Sequence, residues 1–373
     1  MSFIRILPEN LANQIAAGEV VERPASVVKE LLENAIDAGA CGISVQIENG
    51  GTGLIRVIDD GCGMDEDDIL LSLERHATSK LTRLDQLAAI TTLGFRGEAI
   101  PSIASVSKMT ITSRTASAQL GSRVEVRFGK IVKVHAMGAA PGTVIEVKNL
   151  FGNVPARRKF LKSTATEIAH IDEVIRSYAL ANHRRGFALR INERQIFDWP
   201  VDSNEAARVA RVMGGAARLI HFSGSDAAIG AAHGYLPAPD PQLLKSARLW
   251  LFVNGRSVKD RVISHAVSEG MRGFLMKGRR AAGVIFLKIP PDQVDVNVHP
   301  AKQEVRFRKA NLVHKLVEES VRQAMLDLQK QRKKDLFGIA GDGETAPGPL
   351  AGYTAPEPAP TYSRQSTALQ VTA

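Results

Sequence analysis

The sequence predicts an α+β protein of two folded domains and a tail. Three observations carry that expectation. The stretch from Pro24 to Ala40 has apolar residues at helical spacing. Between residues 103 and 150 four strand-like runs follow one another without helices between them. After Trp199-Pro200 a second series of helix and strand begins, and past Gly341 all periodicity ends. The expected boundaries are residues 1–200, 201–335 and a disordered segment over 336–373. The chain has 373 residues, long enough for two or three domains with real cores.

Residues 1–9 form an apolar arm (Phe3, Ile4, Ile6, Leu7) that either packs on its own domain or crosses to a partner subunit. Asn10 is positioned to cap a short helix, Leu11 to Ala17, ended by Gly18. The next helix organises the rest. Val27, Val28, Leu31, Leu32, Ala35 and Ile36 make an apolar stripe, and Glu30, Asn34 and Asp37 stack on the other side at i, i+4 and i+7. Pro24 opens the segment, Ser26 is read as its N-cap and Gly39 as its stop. Alone, a carboxylate and an amide one turn apart read as a solvated face with a chance pairing. Motifs further along the chain change that reading.

Ile43 to Glu48 alternates as a strand, Asn49-Gly50-Gly51 is a turn, and Leu54 to Ile58 is the paired strand. It runs into Asp59-Asp60-Gly61-Cys62-Gly63-Met64. A carboxylate at a strand end, before glycines that let backbone approach a ligand, suits a base pocket. Adenine offers an amino donor at N6 where guanine offers an acceptor, so a buried Asp59 would take the first and repel the second. The alternative is a plain Asp-Gly turn. His76-Ala77-Thr78-Ser79-Lys80 and Gly94-Phe95-Arg96-Gly97-Glu98-Ala99 come next. The second is a glycine-framed loop leading into a helix or turn broken by Pro101, and its backbone N–H groups suit an anion. Residues 75–100 are weakly apolar and suit a mobile lid, with an ordinary surface loop as the alternative. His76 has no second histidine at metal spacing and reads as structural.

Strands are expected at 109–112, 123–128, 131–134 and 143–147, with Pro141-Gly142 placing Thr143 at a strand start. Asn153-Val154-Pro155 breaks the chain before Ala156 to Leu161. A helix over 167–182 and strands at 187–191 and 195–198 complete the first domain. The second opens with a helix from Glu205 to Met213. Arg248 to Val253 is a strand ending at the hairpin-type turn Asn254-Gly255, and Arg256, Lys259 and Arg261 lead into a helix. Residues 245–280 hold nine Lys/Arg against Asp260 and Glu269, a local net of +7. That density suits a phosphate-backbone surface, and a solvated face is the alternative. A strand over 283–289, an alternating stretch from Asp295 to Pro300, a loop at Ala301-Lys302, residues 304–308 and a helix from Asn311 to Gln329 complete the folded part. Lys330 to Lys334 is a basic helix end.

The formal net charge of +9 fits an anionic partner. Aromatic residues are 5% of the chain, too few for a single-strand binder built on stacking platforms. Two cysteines, Cys41 and Cys62, give no disulfide framework and fit a reducing compartment. No stretch reaches the length of a membrane span, and no basic-then-apolar leader opens the chain. The P-loop signature Gly-x-x-x-x-Gly-Lys-[Ser/Thr] is missing, and no dinucleotide-binding glycine fingerprint follows a strand.

Glu30/Asn34 on a helix, Asp59-x-Gly-x-Gly, Gly94-Phe-Arg-Gly-Glu-Ala and Gly142-Thr143, in that order, resemble the ATP site shared by DNA gyrase B, Hsp90, histidine kinases and MutL. The finer spelling resembles the MutL family of DNA mismatch repair ATPases. The stretches are Leu11 to Leu31, Arg75-His-Ala-Thr-Ser-Lys, Gly94 to Ala99, Pro155-Ala-Arg-Arg-Lys-Phe-Leu, Val253-Asn-Gly-Arg and Val294-Asp-Val-Asn-Val-His-Pro-Ala-Lys. The resemblance covers roughly Ile4 to Leu328.

It implies a two-layer α/β sandwich ATPase domain of the GHKL type, then a smaller domain like ribosomal protein S5. By matching position, Glu30 would activate the attacking water, and Asn34 would hold Mg²⁺ on the ATP phosphates. Asp59 would read adenine, with Gly63 and Thr143 beside the base. Gly94, Phe95, Arg96, Gly97, Glu98 and Ala99 would supply the phosphate lid, supported by Thr78, Ser79 and Lys80. Lys302 would reach the γ-phosphate from the second domain. Arg261, with Arg256 and Lys259, would contact DNA, double-stranded first and single-stranded second, through its backbone.

ATP would close a homodimer with the arm at Phe3 and Ile4 crossing over. Implied partners are a mismatch-recognition protein of the MutS type and a downstream nuclease or helicase, in a bacterial cytoplasm at the nucleoid, with no membrane. Family members carry a C-terminal dimerisation domain after a linker. This chain is expected to stop in that linker, and no nuclease is assigned to it. The competing readings are the ATPase portion of a type II topoisomerase and a DNA-binding adaptor that uses ATP as a switch without hydrolysis. A histidine kinase would need a phosphoacceptor helix before the site.

Overall fold

The computed structural model describes residues 21–75, 77, 97–215, 218–238, 248–275, 281–295 and 305–337. The protein is α+β, and its described residues form an eight-stranded sheet, a five-stranded sheet and a two-stranded pair. The first contains β1 (Gly42–Glu48), β2 (Leu54–Asp59), β3 (Lys108–Arg114), β4 (Gly121–Arg127), β5 (Lys130–Met137), β6 (Gly142–Lys148), β7 (Gly186–Ile191) and β8 (Arg194–Trp199). Their order is β5-β4-β3-β6-β2-β1-β7-β8. Only β1 and β7 run parallel; the other neighbours are antiparallel hairpins and returns.

Helices α1 (Pro24–Asp37) and α5 (Thr164–Ala181) lie against each other, α1 packing on β2 and α5 on β7. Between α1 and α5 in the chain come α2 (Glu66–Ser72), α3 (Ala99–Ser105) and α4 (Pro155–Phe160). The strands alternate as their pleat requires. Val45, Ile47, Ile55, Val57, Met109, Ile111, Val124, Val126, Ile145 and Val147 are buried on the helix-covered face. The opposite face is polar. There Arg56 donates from Nε to Glu146 Oε1 at 2.6 Å and from Nη1 to Gln46 Oε1 at 3.0 Å, a ladder across three neighbouring strands.

The second sheet, in order β12-β11-β13-β10-β9, contains β9 (Leu219–Asp226), β10 (Gly230–Pro237), β11 (Leu249–Val253), β12 (Arg256–Val258) and β13 (Gly283–Lys288). Helices α6 (Glu205–Val212), α7 (Arg261–Gly270) and α8 (Ala310–Phe337) accompany it, with a small pair β14 (Val294–Asp295) and β15 (Arg306–Phe307). One face of this sheet and α7 and α8 share a core that includes Leu251, Ile285, Ile263, Val267, Val317 and Val321. Trp250, Phe252 and Val284 join Val209 and Val212 of α6 in the core of the first sheet. Alternate residues of β11 thus serve different cores.

Four expectations need correction. Ser26 is not the N-cap of α1. The helix starts at Pro24, whose ring presets φ for the first turn, and Arg23 takes the capping position without a side-chain bond. Pro101 does not break the chain. It sits in the first turn of α3, where a missing N–H costs nothing. The last helix continues past Gln329 to Phe337 through lysine, arginine and glutamine, good helix formers. The hairpin β9–β10 has no counterpart among the strands expected from sequence. The short helix at 11–17, the alternation past Asp295 and the tail from residue 338 lie outside the described residues.

Candidate nucleotide-binding site

The pleat that buries Ile55 and Val57 puts Asp59 on the same face at the end of β2. The same logic puts Thr143 before Ile145 and Val147 on β6, and Ser113 after Met109 and Ile111 on β3. In register Asp59 opposes Thr143 and Thr143 opposes Ser113. Three polar side chains therefore end an apolar face in one lateral row. Thr143 and Ser113 are 7% and 1% exposed. Their hydroxyls lie 2.9 Å apart; Ser113 also donates to the Gly142 carbonyl at 3.0 Å and accepts from the Met64 N–H at 2.8 Å. A row of donors and acceptors at the mouth of an apolar face suits the edge of a flat, polar-rimmed ring such as a nucleobase.

Asp59 and Asp60 part company here. Asp60 Oδ1 accepts from the N–H groups of Cys41 and Gly42 at 2.7 and 2.8 Å, so it anchors the start of β1. Asp59 Oδ1 accepts from the Gly61 N–H at 2.9 Å. Burial pushes the Asp59 carboxyl up from its ordinary value, the Asp60 charge adds to this, and the N–H groups of Gly61 and Thr143 oppose it.

Close backbone approaches hold this corner. Gly63 has φ +72, and a Cβ there would stand 2.1 Å from the Arg114 carbonyl oxygen. Gly142 has φ +112, and its Cβ would stand 2.1 Å from the Asp59 carbonyl oxygen. Gly142→Ala is therefore expected to force β6 away from β2 at the Asp59–Thr143 pair. A loss on the order of 2–4 kcal/mol is expected, read by thermal or urea unfolding. Unfolding within error of the wild type would show that the corner yields freely.

Helix α1 reaches the same corner. It ends in a Schellman turn, with the Gly39 N–H donating to Ile36 at 3.0 Å and the Ala40 N–H to Ala35 at 3.1 Å. Gly39, at φ +78, supplies the left-handed residue. The Ala38 carbonyl then accepts from the Cys62 N–H at 3.0 Å, which ties the helix end to the loop after Asp59. Glu30 and Asn34 are half-buried on one side of this helix. Lys29 Nζ lies 3.4 Å from Glu30 and 3.7 Å from Glu33. Glu33 is 8% exposed and accepts a short hydrogen bond from the Tyr178 hydroxyl of α5. Burial raises the Tyr178 phenol well above its ordinary value; Glu33 and Glu30 add to this, and Arg256 opposes it.

The remaining expected residues divide clearly. Gly97, at φ +61, packs its backbone on the Ala77 carbonyl, where a Cβ would come within 2.4 Å. Glu98 and Ala99 begin α3. Arg256, on β12, is half-buried within electrostatic reach of Tyr178, while Lys259 and Arg261 are exposed. Phe3, Ile4, Thr78, Ser79, Lys80, Gly94, Phe95, Arg96 and Lys302 lie outside the described residues. Sequence reasoning misses Ser113 and the anchoring role of Asp60. For Ser113 a signal exists, because it continues the inward alternation Met109, Ile111.

Residues 22–143 match the family described as "Histidine kinase-, DNA gyrase B-, and HSP90-like ATPase". Residues 211–326 match "DNA mismatch repair protein, C-terminal domain". The first match spans Asp59, Ser113 and Thr143, all three members of the row. The DNA mismatch repair protein MutL of Anaeromyxobacter dehalogenans is 46% identical over 362 residues, 95% of this chain and 59% of that protein. The MutL of Xanthomonas oryzae is 46% identical over 345 residues, 92% of this chain and 55% of that protein. The chain thus spans somewhat more than half the length of these curated relatives. A solved structure described as the Aquifex aeolicus MutL ATPase domain complexed with ADP aligns with TM-score 0.58 at 26% identity, covering 80% of this chain and 98% of that one. An ATPase-type sheet closed by the Asp59 row, a second sheet matching the mismatch-repair domain, and this identity across nearly the whole chain agree, and the chain belongs to the MutL family, of which it represents the N-terminal region.

Proposed function

We propose that this chain binds and slowly hydrolyses ATP, and that nucleotide binding closes two copies into a clamp on DNA during mismatch repair. The observation that carries the reading is the placement of Glu30 and Asn34 on one side of α1, a helix whose end is tied to the loop that follows Asp59. The Asp59 carboxylate accepts from the adenine amino group, and Thr143 and Gly63 flank the base. Glu30 orients and deprotonates the attacking water. Gly94 to Ala99 close over the phosphates, supported by Thr78, Ser79 and Lys80. Lys302 brings positive charge to the γ-phosphate from the second domain, so that domain arrangement and hydrolysis are linked.

Asn34 fits as the protein ligand of Mg²⁺. Its amide oxygen is a hard donor one helical turn from Glu30. Among the described residues no cluster of three or more His, Cys, Asp or Glu could cage an ion, which suits an ion shared with substrate phosphates and water. Bound there, Mg²⁺ would offset phosphate charge.

The basic surface with Lys259, Arg261 and Arg256 binds the backbone of duplex DNA, and more weakly of single strands. The arm at Phe3 and Ile4 crosses between copies. The partners are a mismatch-recognition protein of the MutS type and a nuclease or helicase downstream, in the cytoplasm. Among the described residues no helix is long and apolar enough to cross a membrane.

The test is ATP hydrolysis at several protein concentrations, with and without duplex DNA. Turnover per chain is expected to rise with protein concentration and several-fold with DNA. Saturation kinetics indifferent to both would remove the clamp.

A further inference from the structure

We propose that the groove between the first turns of α7 and α8 binds a phosphate of the DNA backbone through a protonatable histidine pair, so that duplex binding tightens as pH falls from about 8 to about 6. The proposal rests on the DNA-binding reading above and specifies the site and its regulation.

The groove has a volume of about 520 Å³ and is lined by Arg261, Val262, His265, Ala310, Asn311 and His314. Every polar side chain in that lining can donate: a guanidinium, an amide and two imidazoles. Arg261 and Val262 open α7, and Ala310 and Asn311 open α8. The positive ends of two helix dipoles therefore meet at one opening that also carries a permanent cation.

His265 Nδ1 and His314 Nε2 stand 2.9 Å apart. One of these nitrogens donates and the other accepts, so the hydrogen-bonded pair carries at most one extra proton. Behind it sit carboxylates. His265 Nε2 is 3.8 Å from Glu269, and His314 Nδ1 is 3.4 Å from Glu318. Each carboxylate also serves an arginine, Glu269 with Arg272 and Glu318 with Arg322. Asp260 caps α7 through the Ile263 N–H at 2.8 Å. Lys315 is engaged with Glu319 at 3.7 Å. With both imidazoles neutral, Arg261, Arg272 and Arg322 balance Asp260, Glu269 and Glu318, and each proton on the pair adds one positive charge.

A second proton ends the His265–His314 hydrogen bond, since both facing nitrogens then donate. Two adjacent imidazolium rings repel each other, unless an anion sits between them and Arg261. A backbone phosphate accepts from both rings and removes the repulsion. The complex therefore holds more protons than the free chain, and affinity rises as pH falls.

The experiment measures affinity for a short labelled duplex by fluorescence anisotropy. It compares the wild type, Arg261→Ala and the double variant His265→Gln/His314→Gln, each shown to be folded by its melting curve. Between about pH 8 and about pH 6 the wild type is expected to gain about tenfold in affinity, and its salt dependence to steepen by about one to two counterions. The double variant is expected to lose most of that gain. A double variant with the wild-type pH dependence overturns the proposal, and weakened binding by Arg261→Ala would then leave the DNA reading standing. Absence of duplex binding by the wild type at both pH values overturns the DNA reading itself. Displacement of the duplex by inorganic phosphate, beyond that by chloride of equal ionic strength, is expected of the wild type, because free phosphate competes for the same donors, and equal displacement from the double variant overturns the assignment to the histidine pair.

Discussion

Glu30→Ala is expected to lose ATP turnover by about a hundredfold or more, the usual span for removing a general base, and still to bind ATP. The surroundings of Glu30 make the variant interpretable. Its side chain is 22% exposed and pairs with Lys29 at 3.4 Å. Lys29 also reaches Glu33 at 3.7 Å, so the lysine keeps a counter-charge when Glu30 is truncated. The apolar stripe of α1 is untouched, and Glu33 keeps its bond from Tyr178. A fall in turnover at unchanged nucleotide affinity therefore reports chemistry rather than folding. Adding duplex DNA should raise the wild-type rate and leave the variant at its floor. Equal turnover by both proteins, with ATP bound by each, would show that Glu30 is not the base and would favour the adaptor that switches without hydrolysis.

The residues that make this site are unevenly legible in the sequence. Glu30 and Asn34 can be paired because a helical period of 3.6 places i and i+4 on one side, and the apolar stripe fixes which side is free. Asp59 is visible as a carboxylate at a strand end. Its distinction from Asp60 is not, because it depends on which way each carboxylate turns. Asp60 turns to the Cys41 and Gly42 N–H groups, and that contact is long-range. Ser113 joins the site through the registers of β3 with β6 and of β6 with β2, and through its bond from the distant Met64 N–H. A single strand read alone offers no lateral neighbours.

The hairpin β9–β10 escapes a sequence reading for a different cause. The run from Leu219 to Pro237 contains glycine, alanine and serine where a strand usually shows branched or aromatic side chains. The structure explains two of the glycines. A Cβ at Gly224 would lie 2.0 Å from Ser320 Oγ of α8, and one at Gly234 would lie 2.2 Å from the Val284 carbonyl oxygen and 2.7 Å from the Phe222 ring. Close approach of a helix and of neighbouring strands removed the side chains that mark a strand. Local pattern fails where tertiary packing sets residue size.

Packing also conceals a large stability effect, that of Arg208→Met. Arg208 lies on the short helix α6 with its side chain 0% exposed. It meets Asp202, itself 2% exposed, at 2.5 Å. It also donates to the carbonyls of Arg185 and Pro200 at 2.7 Å each, with longer contacts to those of Ala179 and His183. The guanidinium thus closes the end of α5, the start of β7 and the exit from β8 onto α6. Methionine preserves volume but leaves a buried carboxylate and two part-buried carbonyls short of a donor. Loss of one partner of a buried pair costs about 3–5 kcal/mol. Arg211 still reaches Asp202 at 2.8 Å, from a side chain 41% exposed, so the lower end is expected, about 3 kcal/mol, or roughly 6–12 °C in Tm. Acid unfolding gives a second reading. Burial disfavours the Asp202 charge, but the bonds and charges of Arg211 and Arg208 outweigh it and hold the carboxyl below its ordinary value of 3.8. A depressed folded-state value contributes stability above the ordinary value and loses it as pH falls below. The wild type should therefore lose this contribution below about pH 4, while Arg208→Met, having less to lose, falls less steeply there. A variant that melts within about 1 °C of the wild type, with the same acid limb, would mean that the pair merely offsets its own burial.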